Sequence, residues 1–140
     1  MKELDLRKVT DEVERMCIEG NYFIGKEVLD KIKEAYAKEE SEVGKNILGQ
    51  IIENDEIAAN EQVPMCQDTG IVVVFLEIGT EVKISGDIYE AVNEGIRRGY
   101  EKGYLRKSVV KDPLDRVNTK DNSPAVIHTT LVPGSDKVKI

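Results

Sequence analysis

Apolar residues recur at intervals of three and four along the first sixty positions, which is the spacing of amphipathic helices. The three stripes span residues 6–17, 24–36 and 43–52. Ser41 stands just before the third stripe, where a serine hydroxyl can cap the first turn of a helix. The pattern therefore predicts three N-terminal helices, the last of which begins after Ser41.

Further along the chain the pattern changes to runs typical of strands. Residues 71–78, "IVVVFLEI", form a continuous β-branched and aromatic run, which predicts a strand covered on both faces. Further runs at 81–84, 125–132 and 137–140 predict three more strands. Between the second and third of these four strands, apolar spacing predicts a helix that begins after Asp87.

Three glycines fall four residues apart in that helix, at Gly95, Gly99 and Gly103, and therefore line one of its faces. Each costs a helix about 1 kcal/mol relative to alanine. A weak, fraying helix is one interpretation. Close approach of another backbone to the glycine face is the other, and the regular spacing favours it.

These elements predict an α+β fold, with N-terminal helices packed against a small mixed sheet that contains residues 71–78 and 125–132. At 140 residues the chain fits a single domain, helical over 1–62 and mixed over 63–140. A strand that stops at the last residue suggests that the domain is the N-terminal portion of something longer. The order of the strands does not follow from the pattern.

Composition is that of a globular protein, 40% hydrophobic and 34% charged. A net charge of −7 argues against a general nucleic-acid or anionic-membrane binder. Charged residues at the N-terminus and the lack of a membrane-length apolar run predict a cytoplasmic protein. Residues 97–120 hold eight basic groups against three acidic ones. This segment suits a small anionic ligand, although most charge runs are solvated faces.

The two cysteines occur in different settings, which does not indicate a disulfide. Cys17 lies on an apolar stripe and is expected to pack as a small hydrophobe. Cys66 is followed by the polar residues 67–69, which indicates a metal ligand or a nucleophile. As a nucleophile, the Cys66 thiol could pair with His128 as its base. A structural zinc site takes four Cys or His ligands, and this chain has three such residues. A soft-metal ligand shared with residues outside the chain, as in iron–sulfur proteins, also fits.

Two blocks carry a resemblance to a known family. "PMCQDTG" at 64–70 and "YLRKSVVKDPLDRVNTKDNSPAVIH" at 104–128 are similar to the blocks of class I fumarate hydratases and L(+)-tartrate dehydratases, in the α-subunit or N-terminal part. "VPGSDKVKI" at 132–140 resembles the segment that follows. With the helical N-terminal region, the likeness spans essentially the whole chain.

The resemblance implies a hydro-lyase with a [4Fe–4S] cluster held by three cysteines, its fourth iron open to substrate. Cys66 would be the first of the three ligands. Gln67 and Asp68 would lie against a C4 dicarboxylate, and Asp68 would move a proton or orient the group that does. Arg106 would bind a carboxylate through its planar two-point grip.

The second block also contains the polar residues Asn118, Thr119, Asp121 and Asn122. They fit either a layer around substrate and cluster or a polar loop whose side chains bond its own backbone, and we favour the loop.

This chain departs from the family pattern because it is about half the expected length and holds one of the three cluster cysteines. We interpret it as the N-terminal portion of a dehydratase α-subunit, a fragment inactive alone. The implied partners are the missing downstream segment and a β-subunit or C-terminal domain, in an oligomer without nucleic acid or membrane. The alternatives are a non-catalytic interaction domain that retains the fold without the cluster and a thiol protein using Cys66 and His128.

Overall fold

The computed structural model describes all 140 residues and contains four helices and five strands. The helices are α1 (Leu6–Tyr22), α2 (Lys26–Lys38), α3 (Glu42–Glu61) and α4 (Ile88–Lys102). The strands are β1 (Lys2–Leu4), β2 (Val73–Gly79), β3 (Val82–Ile84), β4 (Val126–Val132) and β5 (Val138–Lys139). The fold is α+β, as predicted, although the pattern missed β1. None of the helices combines the length and apolarity needed to cross a membrane.

The chain forms two compact units. The first unit comprises residues 1–17 and 69–140 and holds all five strands, α4 and the beginning of α1. The second unit comprises residues 18–68 and holds the end of α1 with α2 and α3.

The first unit is built on a three-stranded sheet in the order β4–β2–β5. β2 pairs in parallel with β4 from Val73↔Val126 to Gly79↔Val132 and antiparallel with β5 through Ile78↔Val138. The strands β1 and β3 form a separate parallel pair. The expectation that residues 71–78 and 125–132 share a sheet is therefore confirmed.

The two faces of β2 differ sharply. Val74, Leu76 and Ile78 are buried in one cluster with apolar residues of α1 and α4. Val73 and Phe75 point to the opposite face and are exposed. The prediction of a strand covered on both faces is wrong for this chain, because its helices supply an apolar layer to one face only.

Helices α1 and α4 cross at the glycine face of α4. A Cβ placed on Gly95 would lie 2.5 Å from the carbonyl oxygen of Thr10, and one on Gly99 would lie 2.8 Å from the Cβ of Cys17. Close backbone approach is thus confirmed at these two glycines. Gly103 instead ends the helix as its C-cap.

Helix α3 begins and ends at side chains and backbone angles suited to its termini. The hydroxyl of Ser41 accepts the N–H of Gly44 at 3.3 Å, so the predicted cap is confirmed. At the other end, Gln62 adopts a left-handed conformation (φ 54°) and donates its N–H to the carbonyl of Ala58. This turn directs the chain out of α3 and into the segment that carries Cys66.

We expect Gly95→Ala to lower the free energy of unfolding by about 1–3 kcal/mol, because the added methyl group forces the two helices apart. The matched control is Gly20→Ala in α1, where nothing lies within 4 Å of the new Cβ. That change should stabilise the protein by up to about 1 kcal/mol through helix propensity. Urea denaturation measures both, and equal effects of the two variants would contradict the close crossing.

Candidate functional site

Cys66 lies in an irregular segment that follows α3 and is held by two asparagines. The N–H of Cys66 donates to Oδ1 of Asn54 at 2.8 Å. One residue earlier, the N–H of Met65 donates to the carbonyl of Asn21 at 2.9 Å. The side-chain amide of Gln67 donates to Oδ1 of Asn21. The backbone around the cysteine is therefore fixed from both sides, although the segment has no helical or strand structure.

This anchoring leaves the candidate side chains of the segment exposed to solvent. Cys66, Gln67 and Asp68 are all exposed. A fixed backbone lowers the conformational entropy lost when a ligand binds. Sequence reasoning missed Asn21 and Asn54, which lie 46 and 12 residues from their partners. No local pattern links residues at those separations.

The two thiols have different environments. Cys17 packs against the hydrophobic core, as predicted, and its burial raises the pKa of the thiol to about 11. Cys66 is exposed. No three His, Cys, Asp or Glu side chains converge anywhere in the chain in a way that would hold a metal ion. Of the two thiols, Cys66 is therefore the one that solvent reaches more readily.

Arg106 lies in the first unit, just beyond the end of α4, and its side chain is exposed. The chain reaches it through Tyr104, which has a left-handed backbone conformation (φ 52°). Two and three residues after Arg106, the N–H groups of Ser108 and Val109 donate to Oδ1 of Asn122 at 2.6 and 3.0 Å. One side-chain carbonyl thus fixes the backbone that follows the arginine.

Asn122 joins the two blocks that carry the family resemblance. It is fully buried, at 0% exposure, and has a left-handed backbone (φ 59°). Its Nδ2 donates to the carbonyl of Gly70 at 3.5 Å, at the end of the "CQDTG" segment. A hydrogen bond from the same side chain reaches Tyr100, whose pKa is raised by burial. One buried amide therefore ties Gly70 to the segment that presents Arg106.

The remaining polar residues of the second block bond the loop itself. Asn118 donates Nδ2 to the carbonyl of Lys107 at 3.1 Å and accepts the N–H of Lys120 at 2.6 Å. Asp121 accepts the N–H and the hydroxyl of Ser123 at 2.9 and 2.8 Å. For Asn118 and Asp121 the interpretation as a polar loop is confirmed, whereas Asn122 also bonds Gly70 and Tyr100 outside the loop.

Ion pairs reduce the positive charge expected for residues 97–120. Arg97 pairs with Glu90 and Glu94, and Arg98 pairs with Glu94 at 2.8 Å. Lys102 pairs with Glu14 at 2.6 Å. These three cations lie on α4, so any attraction for an anionic ligand rests on the basic residues that follow the helix.

His128 stacks on Phe75, with ring centroids 5.2 Å apart and planes 16° from parallel. This contact joins two exposed side chains of neighbouring strands. It gives the histidine a structural role, and Cys66 belongs to the other compact unit.

We expect Asn122→Ala to lower the free energy of unfolding by about 2–5 kcal/mol, because it leaves two N–H groups without their acceptor and puts alanine at a positive φ. Lys120→Ala is the matched control, since Lys120 also has a positive φ (68°) and is exposed. Its effect should stay within about 0.5 kcal/mol. Equal losses in chemical denaturation would show that the buried hydrogen bonds contribute nothing.

Iodoacetamide should modify Cys66 and spare Cys17. With a pKa of about 11, only about one Cys17 thiol in a thousand is ionised at pH 8, and the group is also partly buried. Raising the pH toward 11 should therefore increase the rate at Cys17 steeply. Mass spectrometry of digests measures both sites, with Cys17→Ala as the control that leaves Cys66 reactive. Rapid labelling of Cys17 at pH 8 would contradict its burial.

Comparison with known proteins agrees with these features. The model of the fumarate hydratase (Fumerase) family matches residues 10–140. A putative L(+)-tartrate dehydratase subunit alpha of Methanocaldococcus jannaschii is 43% identical over 117 residues, covering 82% of this chain and 41% of that protein. The L(+)-tartrate dehydratase subunit alpha of Escherichia coli K12 is 25% identical over 142 residues, covering 99% of this chain and 46% of that protein. The chain thus spans less than half the length of these relatives, and it belongs to the fumarate hydratase (Fumerase) family.

Proposed function

We propose that this chain supplies part of the active site of a hydro-lyase that adds water reversibly to a C4 dicarboxylate. Membership of the fumarate hydratase family supports the reaction class, and the relatives are named as L(+)-tartrate dehydratase α-subunits. Either substrate, fumarate or tartrate, presents two carboxylates to the protein. The observation that carries the proposal is the exposed Cys66 on a backbone fixed by Asn54, within the region that matches the family.

Cys66 is proposed as one protein ligand of a [4Fe–4S] cluster. The residues present fit this role, because the thiol is exposed and the backbone N–H of the same residue is anchored. Thiolate is the usual protein ligand of such clusters. A cluster with an open iron supplies a Lewis acid that polarises a hydroxyl leaving group. The other ligands would come from the part of an α-type protein that this chain does not span.

The remaining residues are proposed to bind and orient substrate. Arg106 offers a planar guanidinium that can grip a carboxylate through two hydrogen bonds. Gln67 offers an amide that can donate to a carboxylate oxygen, while its contact with Asn21 restricts its orientation. Asp68 is exposed and is proposed to move a proton or to orient the group that does.

The subunit names of the relatives support a two-component enzyme. They are called "subunit alpha", and we propose a β-type partner and the rest of an α-type chain as the components that complete the pocket. With one thiolate ligand, the 140 residues alone are expected to be inactive. The alternative is a non-catalytic interaction domain, which is motivated by the presence of only one of the three expected cluster cysteines in this chain.

Anaerobic reconstitution with iron and sulfide tests the proposal on this chain combined with the missing α-type part and a β-type partner. We expect cluster absorbance, bound iron and hydration of fumarate or dehydration of tartrate in the wild type. Cys66→Ala should lose all three, because a cluster short of one thiolate is not retained.

Cys17→Ala is the control, since it removes the other thiol and should leave cluster and turnover in place. Full activity in Cys66→Ala would overturn the ligand assignment. A stable complex that binds no iron and lacks turnover, with every component folded, would favour the non-catalytic interaction domain.

A further inference from the structure

The three-stranded sheet has one face and one long edge that the chain leaves uncovered. The uncovered face begins with Val73 and Phe75 of β2 and Val126 and His128 of β4, and these four residues are called the outer face. Glu77 and Thr130 continue the same side of the sheet beyond them. Phe75 lies at the centre of the outer face, and its side chain is 69% exposed. Next to the outer face, Glu77 pairs with Lys139 at 3.5 Å, so these two charges offset each other. The outer face is therefore apolar and without strong net charge.

The uncovered edge is β4, which pairs with β2 on one side only. Val126 donates its N–H to the carbonyl of Val72 at 2.9 Å. Because successive residues direct their backbone groups to opposite edges of a strand, the N–H groups of Ile127, Thr129 and Leu131 point away from the sheet. Leu131 is 66% exposed at the same edge.

The other strand edges carry protection that β4 lacks. Proteins commonly protect free edges with charged side chains, prolines or very short strands. β5 is two residues long and ends in Lys139, and β1 and β3 are three residues long and contain Lys2 and Lys83. β4 has seven residues, "VIHTTLV", with no Asp, Glu, Lys, Arg or Pro. An unprotected edge of this length indicates that another strand pairs with it.

We propose that β4 and the outer face bind the part of an α-type subunit that this chain does not span, through a strand added beside β4 and an apolar layer over Phe75. This occupant is favoured because the chain covers 41% and 46% of two relatives, so more than half of each is available to extend the sheet. Sheets in globular proteins average five or six strands, and this one has three. A second copy of the chain is the competing occupant.

The proposal rests on the proposed α-type architecture, but its test needs neither iron nor turnover. A failed hydro-lyase assay and a failed docking experiment are therefore distinguishable. The probe is a polypeptide made of the part of the Methanocaldococcus jannaschii relative that lies outside its match to this chain.

Amide hydrogen exchange of this chain, with and without the probe, gives the most direct measurement. In the chain alone, the amides of Ile127, Thr129 and Leu131 should exchange faster than those of Val126 and His128. Adding the probe should slow those three by about tenfold or more, because they gain backbone acceptors. Binding of the probe without that protection would overturn the proposal. Protection that rises with chain concentration when no probe is present would assign the edge to a second copy and would also overturn it.

Charged substitutions test the outer face. Phe75→Lys should weaken binding of the probe by about tenfold or more, because it places an ammonium group in an apolar interface. Leu131→Lys should do the same at the edge of β4. Leu114→Lys is the control, since Leu114 is 93% exposed in a loop outside the sheet, and its binding should be unchanged. Equal binding by all three variants would contradict the docking surface.

A single polypeptide that joins this chain to the probe covers the case in which the two do not assemble as separate molecules. In the joined protein, Phe75→Lys should lower Tm well below that of Leu114→Lys, whereas in the chain alone both should leave Tm nearly unchanged. Equal Tm values for the two variants in the joined protein would overturn the proposal.

Discussion

The close crossing of α1 and α4 is the contact on which the first unit depends. At Gly95 the backbone of α4 approaches the carbonyl of Thr10, and the Thr10 hydroxyl also donates to the carbonyl of Ala91 at 2.9 Å. The two helices can therefore lie together over the same face of β2. Helix α4 connects β3 to β4 along the chain. Because α4 packs on this face of β2, the chain returns with β4 beside β2 and parallel to it.

Parallel pairing has a direct consequence for the two sequence blocks. Gly70 precedes β2 and Asn122 precedes β4 by similar numbers of residues, and parallel strands begin at the same end of a sheet. Gly70, the last residue of the first block, and Asn122 of the second block are thus brought to one end of the sheet, where the Asn122 amide bonds the carbonyl of Gly70. The spacing of the blocks along the chain is explained by the crossover that lies between them.

Much of the local structure could be predicted because its causes are local. Ser41 and Asp87 cap their helices through N–H groups two or three residues away, and the spacing of Gly95 and Gly99 identifies the crossing face. The hydrogen bonds of Asn54 and Asn122 could not be predicted. Each joins residues that only the folded chain brings together, and asparagine is equally common in solvated loops.

The wrong prediction for β2 has a physical reason that also bears on the proposed function. The run "IVVVFLEI" is apolar on both faces, which indicates two covering layers, and the chain supplies one. The apolar pattern of β2 indicates two covering layers of protein, whereas the structure shows the one layer that this chain contributes. The proposed role of Cys66 has the same relation at another level, because one thiolate is fewer than a [4Fe–4S] cluster requires. Under the two proposals made above, a single additional body of protein that carries a strand for β4 and further cluster ligands satisfies both requirements.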